Sequence, residues 1–204
     1  ALIVSKLQYP DLTITPILQE VEKIRRNIWL ELNSFLTPLE QAHVISSILY
    51  NYYKFCGSEI DYANPDAFLV NKVLQTKKGN NYSNGILYIG LANLLELPVC
   101  VINIPRQFVL AFYDEFFENE HASTDQRSRY HFFIDPTTGR PFTHDDIDNY
   151  FKRISVPPVP SYFKSISTTE SLILWMEEFS KCFEASAQQY KQQDIAHLVE
   201  ILEA

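Results

Sequence analysis

Cysteine is scarce: only Cys56, Cys100 and Cys182 occur in 204 residues. They are too few and too scattered for a disulfide framework, and no Cys-x-x-Cys pair offers a metal site. Three free thiols suit a reducing compartment, which gives a cytoplasmic expectation; otherwise they are small buried hydrophobes. Basic residues are also in deficit, with 17 Lys and Arg against 25 Asp and Glu, a net charge of −8 and no Lys/Arg run. That balance argues against a nucleic-acid backbone or an anionic membrane surface as partner. No uninterrupted apolar run reaches membrane-spanning length, because Asn93, Glu96 and Pro98 break the stretch 86–104. No secretory signal peptide is visible, and Ala1 in place of an initiator Met points to processing or trimming. No Gly-rich phosphate loop follows a strand and no metal-ligand cluster occurs. Asp145-Asp146-Ile147-Asp148 reads as the acidic first turn of a helix, not a calcium loop. No cofactor is expected.

What is present describes a globular chain. Apolar residues make up 46% and charged residues 21%, enough for one buried core with a small appendage. Ile17, Leu18, Val21, Ile24, Ile28 and Leu32 recur at helical spacing. Thr37-Pro38-Leu39-Glu40 combines a capping box with a proline at the first helical position, and starts a second helix that ends before Gly57. Asn64-Pro65 opens a shorter one that ends at Gly79. The stretch 77–135 organises the rest. A polar turn from Lys77 to Gly85 leads into apolar Ile86-Leu87-Tyr88-Ile89-Gly90-Leu91-Ala92, and strands are predicted over 99–104, 107–113 and 130–135. Gln107, Val109 and Ala111 share one face of the second strand, with Phe108, Leu110 and Phe112 on the other. Residues 114–129 form a polar, acidic insertion. Asp135-Pro136-Thr137-Thr138-Gly139 is a turn, and Thr143 with Asp146 caps a helix reaching Ile154. Val156-Pro157-Pro158-Val159-Pro160 reads as a linker, followed by helical patterns over 169–187 and 192–202. Such a helical hairpin cannot bury its own apolar face, so it must dock on the core or continue into further repeats. The domain expectation is therefore 1–155 for a core with N-terminal helices and 156–204 for linker and hairpin.

Several short stretches occur in the order of one known family. They are Tyr9-Pro10-Asp11-Leu12, Asn64-Pro65, Asn71-Lys72-Val73-Leu74, Lys78-Gly79-Asn80, Ser83 ahead of Leu87-Tyr88, Leu97-Pro98-Val99, Ile104-Pro105-Arg106-Gln107-Phe108 and Phe133-Ile134-Asp135-Pro136. Together they resemble the transglutaminase-like superfamily, in particular its bacterial SirB-type group, which joins a divergent transglutaminase core to tetratricopeptide-like helices. The resemblance implies an α+β fold: a transglutaminase-like (papain-like) core with a helical N-terminal part, an antiparallel sheet and a C-terminal helical hairpin. It also implies a site in which the catalytic Cys, His and Asp positions hold Ser83, Gln107 and Asp135, with Tyr82, Asn84 and Arg106 on a cleft rim. The SirB-type group often lacks the Cys. Its Pro-Gly-His-Phe motif reads Pro105-Arg106-Gln107-Phe108 here, a departure.

Chemistry makes this set a degenerate triad. A Cys at a helix N-terminus beside an imidazole becomes a thiolate, whereas a Ser hydroxyl needs a general base. Gln107 takes no proton, and Asp135 has no imidazole to orient. Loss of a general base lowers a rate by roughly 10²–10⁴-fold. His131 lies four residues from Asp135 on its strand, about 13 Å and out of reach; His144, just after the turn, is the other candidate base. His43 and His197 read as partly buried surface residues.

Each position also has a plain structural reading. Ser83 caps a helix, Gln107 is a buried polar group bonded to Asp135, Asp135 shapes its turn, and the Tyr-rich set Tyr50, Tyr52, Tyr53, Phe55, Tyr62 and Tyr82 packs. The expected function is a non-catalytic transglutaminase-like module binding a protein or peptide, with no nucleic-acid or membrane partner. The alternative is a weak hydrolase or acyl-transfer enzyme using Ser83.

Overall fold

The computed structural model describes residues 1–105, 107–114, 126–184 and 188–203. Its centre is an antiparallel five-stranded sheet in the order β6-β5-β4-β3-β7, comprising β3 (Val99–Ile104), β4 (Gln107–Tyr113), β5 (Tyr130–Ile134), β6 (Pro141–Phe142) and β7 (Ser165–Ile166). The three long strands follow the predicted alternation, and a register shift at Phe112/Tyr113 accommodates the β4–β5 pairing. Residues 115–125 of the expected acidic insertion lie outside the described residues.

Helices cover one face of the sheet: α1 (Ser5–Gln8), α2 (Ile14–Glu31), α3 (Pro38–Ser46), α4 (Val70–Thr76), α5 (Asn81–Leu94), α7 (Thr168–Ser180) and α8 (Gln189–Glu203). Val99, Val101, Phe108, Leu110, Phe112 and Ile134 point from the strands into this layer. A thinner layer covers the other face, made of α6 (His144–Ile154) and the 3-10 turn Pro160–Phe163. Ile102, Ile104, Val109, Ala111 and Phe133 meet Ile147, Phe151 and Phe163 there. One sheet thus separates two apolar clusters, as strand pleating requires.

The C-terminal hairpin docks on the core. Trp175, Met176, Phe179, Phe183 and Ile195 join the same cluster as α5 and the sheet, while Ile201 and Leu202 near the end of α8 stay exposed. The Pro-rich stretch at 156–160 is tied at both ends: the Val156 N–H bonds to Phe151 O, and Phe163 is buried under the sheet. Among the described residues no helix is long and apolar enough to cross a membrane.

Three helices begin with a reciprocal capping box of hydroxyl and carboxylate: Thr37 with Glu40, Thr143 with Asp146, and Ser167 with Glu170. Each carboxyl is held below its usual range, chiefly by the cap residue's backbone N–H and then by its hydroxyl. A depressed folded pKa contributes stability that is present above the unfolded value, 4.5 for Glu and 3.8 for Asp, and is lost as pH falls through the folded value. Stability in urea should therefore decline below about pH 4.5. The triple variant Glu40→Gln/Asp146→Asn/Glu170→Gln should show a shallower acid slope; an unchanged slope would remove these boxes from the account.

Candidate functional site

The site expected from the sequence lies at the N-terminus of α5. Asn80 is the cap residue, extended at φ −91° and ψ −176°, and its Oδ1 accepts hydrogen bonds from the Tyr82 and Ser83 N–H groups, each 3.0 Å. Ser83 sits three residues later and closes the box in reverse, its Oγ accepting from the Asn80 N–H at 3.0 Å. The same hydroxyl donates to Ala67 O at 2.7 Å. Ser83 therefore takes part in the cap without being the cap residue. It is 0% exposed, and its proton and a lone pair are both engaged by main chain.

Gln107 does not face it. A Cβ added to Gly85 would overlap the Phe108 ring, so α5 lies hard against the Phe108 face of β4. Gln107 points the other way, with Val109 and Ala111 and opposite Ile104, all of the α6 layer. It is exposed at the strand's start, not buried against Asp135, because the pleat sends alternate side chains through opposite faces.

Asp135 is engaged within its own turn. One carboxylate oxygen accepts from the Thr137 N–H at 2.8 Å and the Thr137 hydroxyl at 2.6 Å, and the other from the Thr138 hydroxyl at 2.8 Å. This is an Asx turn, closed by Gly139 at φ +70°. The turn is pinned to the helical layer. Tyr50, in the π-helical stretch Ser47–Tyr52, donates its hydroxyl to Pro136 O at 2.6 Å. The Gly57 N–H donates to Thr137 O at 2.9 Å from β1 (Cys56–Gly57), which pairs in parallel with β2 (Lys78–Gly79) just before α5. The backbone thus brings the Ser83 and Asp135 segments into one neighbourhood, while the Ser83 side chain bonds to Asn80 and Ala67 and the Asp135 side chain serves its own turn.

The described histidines offer no base. His144 Nε2 lies 2.9 Å from Tyr130 O, and its ring meets Phe133 edge-on at 5.0 Å, on the α6 side of the sheet. His131, His43 and His197 are exposed, and His121 lies outside the described residues. Tyr82 and Asn84, expected on a cleft rim, are buried. The Tyr82 ring packs on Phe108 at 5.4 Å, and burial pushes its phenol upward. The Asn84 amide donates to Cys56 O at 3.3 Å. Arg106 lies outside the described residues. Burial pushes the Cys100 and Cys182 thiols up to about 12, so neither supplies a thiolate. Among the described residues no group of His, Cys, Asp and Glu is placed to hold a metal ion.

The sequence model of the transglutaminase-like superfamily matches residues 15–177, running from α2 through the sheet into α7. The chain belongs to the transglutaminase-like superfamily. This transglutaminase-like chain is 29% identical to protein SirB1 of Salmonella typhimurium over 91 residues, which is 45% of the chain and 34% of SirB1. It is 33% identical to mouse F-box only protein 21 over 66 residues, 32% of the chain and 10% of that protein. The similarity to SirB1 supports the SirB-type group, and the chain spans about a third of SirB1's length. No solved structure matches it significantly. Sequence reasoning overlooked Asn80 and Ala67 as partners of Ser83; the Asn-x-x-Ser spacing at the helix start was the available signal.

Proposed function

We propose that this transglutaminase-like chain is a non-catalytic module that binds a protein or peptide. One observation carries the reading: the Ser83 hydroxyl is fully buried and donates to Ala67 O, with Gln107 and His144 placed across the sheet. A nucleophile needs access to substrate and a base within hydrogen-bond reach, and Ser83 has neither among the described residues. The surface favoured for binding is the corner between α2 and α3. Trp29, Leu30 and Phe35, close together in the chain, are 59%, 66% and 93% exposed there, and exposed large apolar side chains are the natural anchors of an interaction surface.

Two measurements test the halves separately. A fluorophosphonate probe followed by mass spectrometry should leave Ser83 unlabelled; stoichiometric labelling of Ser83 returns the hydrolase reading. Selection from a random-peptide display library should yield binders that weaken at least tenfold against Trp29→Gln/Phe35→Ser. Binders indifferent to that pair, or none at all, overturn the proposed surface.

A further inference from the structure

A polar groove opens beside the start of α2, between the turn that precedes this helix and the first turn of α4. Tyr9, Asp11 and Thr13 line one side, and Asn71 and Lys72 the other. It lies at the far end of α2 from Trp29, roughly 24 Å away at 1.5 Å of rise per residue.

The helix start is bare. Thr13 is the cap residue of α2, but its side chain makes no capping bond, and the first turn carries no acidic residue. Helices α3, α6 and α7 each supply a hydroxyl and a carboxylate at this place. The Ile14 and Thr15 N–H groups have no intrahelical acceptor, and with the helix dipole they favour a negative group beside Thr13. Water alone can meet that need. Two further features point to a ligand.

Asn71 is the first. It lines the groove yet is only 2% exposed, and its amide oxygen is buried with no hydrogen-bond partner. A buried acceptor left unpaired costs free energy, and native folds rarely keep one without a use. A primary amide holds an acceptor and donors in one plane, which is the complement of a peptide group.

Charge is the second. The Lys72 Nζ sits 4.2 Å from the centre of the Tyr9 ring and 3.7 Å from Asp66 Oδ2. Asp66 is already engaged by the Tyr9 hydroxyl, which donates to its two oxygens at 2.7 and 2.9 Å. An ammonium has three donors, so Lys72 is fixed in place with capacity for a second acceptor. Behind the groove wall the buried Lys191 donates to Gln8 Oε1 at 2.7 Å, and no carboxylate among the described residues pairs with it. Asp66 and the exposed Asp11 on the rim offset part of this positive charge. The balance suits one negative charge and disfavours a phosphate dianion.

We infer that this groove captures the free C-terminus of a peptide. The α-carboxylate lies between the start of α2 and Lys72, and the last peptide group pairs with the Asn71 amide, a mode in which main-chain N–H groups hold a terminal carboxylate. The inference names a second contact for a peptide ligand but does not rest on the corner between α2 and α3, and either can fail alone.

The probe is N-acetyl-L-alanine, titrated into the isotope-labelled whole chain and followed by NMR. Saturable shifts are expected at the Ile14 and Thr15 amides and at the Asn71 side-chain amide, and not at Trp29 or Phe35. N-acetyl-L-alanine amide lacks the charge and acetate lacks the peptide group, so each should bind at least fivefold more weakly. Thr13→Asp supplies the missing cap carboxylate from the chain itself. It should melt at the same or a higher temperature and bind the probe at least tenfold more weakly, and Lys72→Gln should weaken binding by a similar factor. No saturable shift at these groups overturns the inference. Equal binding of the uncharged amide does so too, because no carboxylate is then read, and equal binding of acetate reduces the groove to a general anion site. A Thr13→Asp protein that melts and binds as the parent does places the probe away from the helix start and also overturns it. If Thr13→Asp melts lower, Lys72→Gln decides: undiminished binding there removes the site.

Discussion

Trp175→Ala should destabilise the whole chain by about 4 kcal/mol, since truncating a buried Trp or Phe typically costs about 3–5 kcal/mol. Trp175 is 0% exposed, stacks on Phe179 with centroids 6.0 Å apart and planes 5° from parallel, and donates its indole N–H to Phe68 O at 2.9 Å. Its loss opens a cavity and leaves a buried carbonyl without its donor, and the two effects add. Because Phe68 lies in the 3-10 turn Pro65–Phe68 that leads into α4, this contact ties the C-terminal hairpin to the start of the core. Urea unfolding should remain one cooperative transition with an unchanged slope and a midpoint shifted far down. Ile201→Ala, at a site 58% exposed, should move it little. A loss below about 1 kcal/mol, or a separate early transition for the hairpin, would show instead that the hairpin is an independent unit.

The sequence read well wherever local pattern and tertiary structure agree. Strands β3, β4 and β5 read as short, nearly continuous apolar runs because each lies between two apolar layers, and the Thr37/Glu40 and Thr143/Asp146 boxes are local by nature. The two-residue strands β1, β2, β6 and β7 were not legible, because partners far along the chain define them. The prolines at 156–160 resembled a spacer because composition is local, while the contacts that hold them come from Phe163 under the sheet and Ile166 against Val101. Gln107 is the most instructive position. Its grouping with Val109 and Ala111 was readable from the period of two, but which face meets α5 depends on Gly85 admitting the Phe108 ring. A motif aligned by order therefore located the strand correctly, and the pleat decided that its polar residue looks away from Ser83.

Ser83→Ala is the variant that separates a structural serine from a disabled nucleophile. It should destabilise the fold by about 2 kcal/mol, since a buried partner left unsatisfied costs about 1–3 kcal/mol. Two main-chain groups lose a partner, the Asn80 N–H and Ala67 O. Part of the loss is recoverable, because the Asn80 N–H already lies 3.4 Å from Ala67 O and can shorten onto it; this keeps the expectation below the sum of two full penalties. A serine retained for chemistry behaves oppositely, since functional sites hold strain that substitution relieves, and its removal is commonly neutral or stabilising. Gln107→Ala, on the exposed start of β4, should fall within about 0.5 kcal/mol of the parent. A marked loss at Ser83 beside silence at Gln107 is the signature of a serine that serves the helix cap and a glutamine that serves the surface. A Ser83→Ala protein at least as stable as the parent would mean that its hydroxyl is not held for the fold, and the search for substrates would have to resume at that atom.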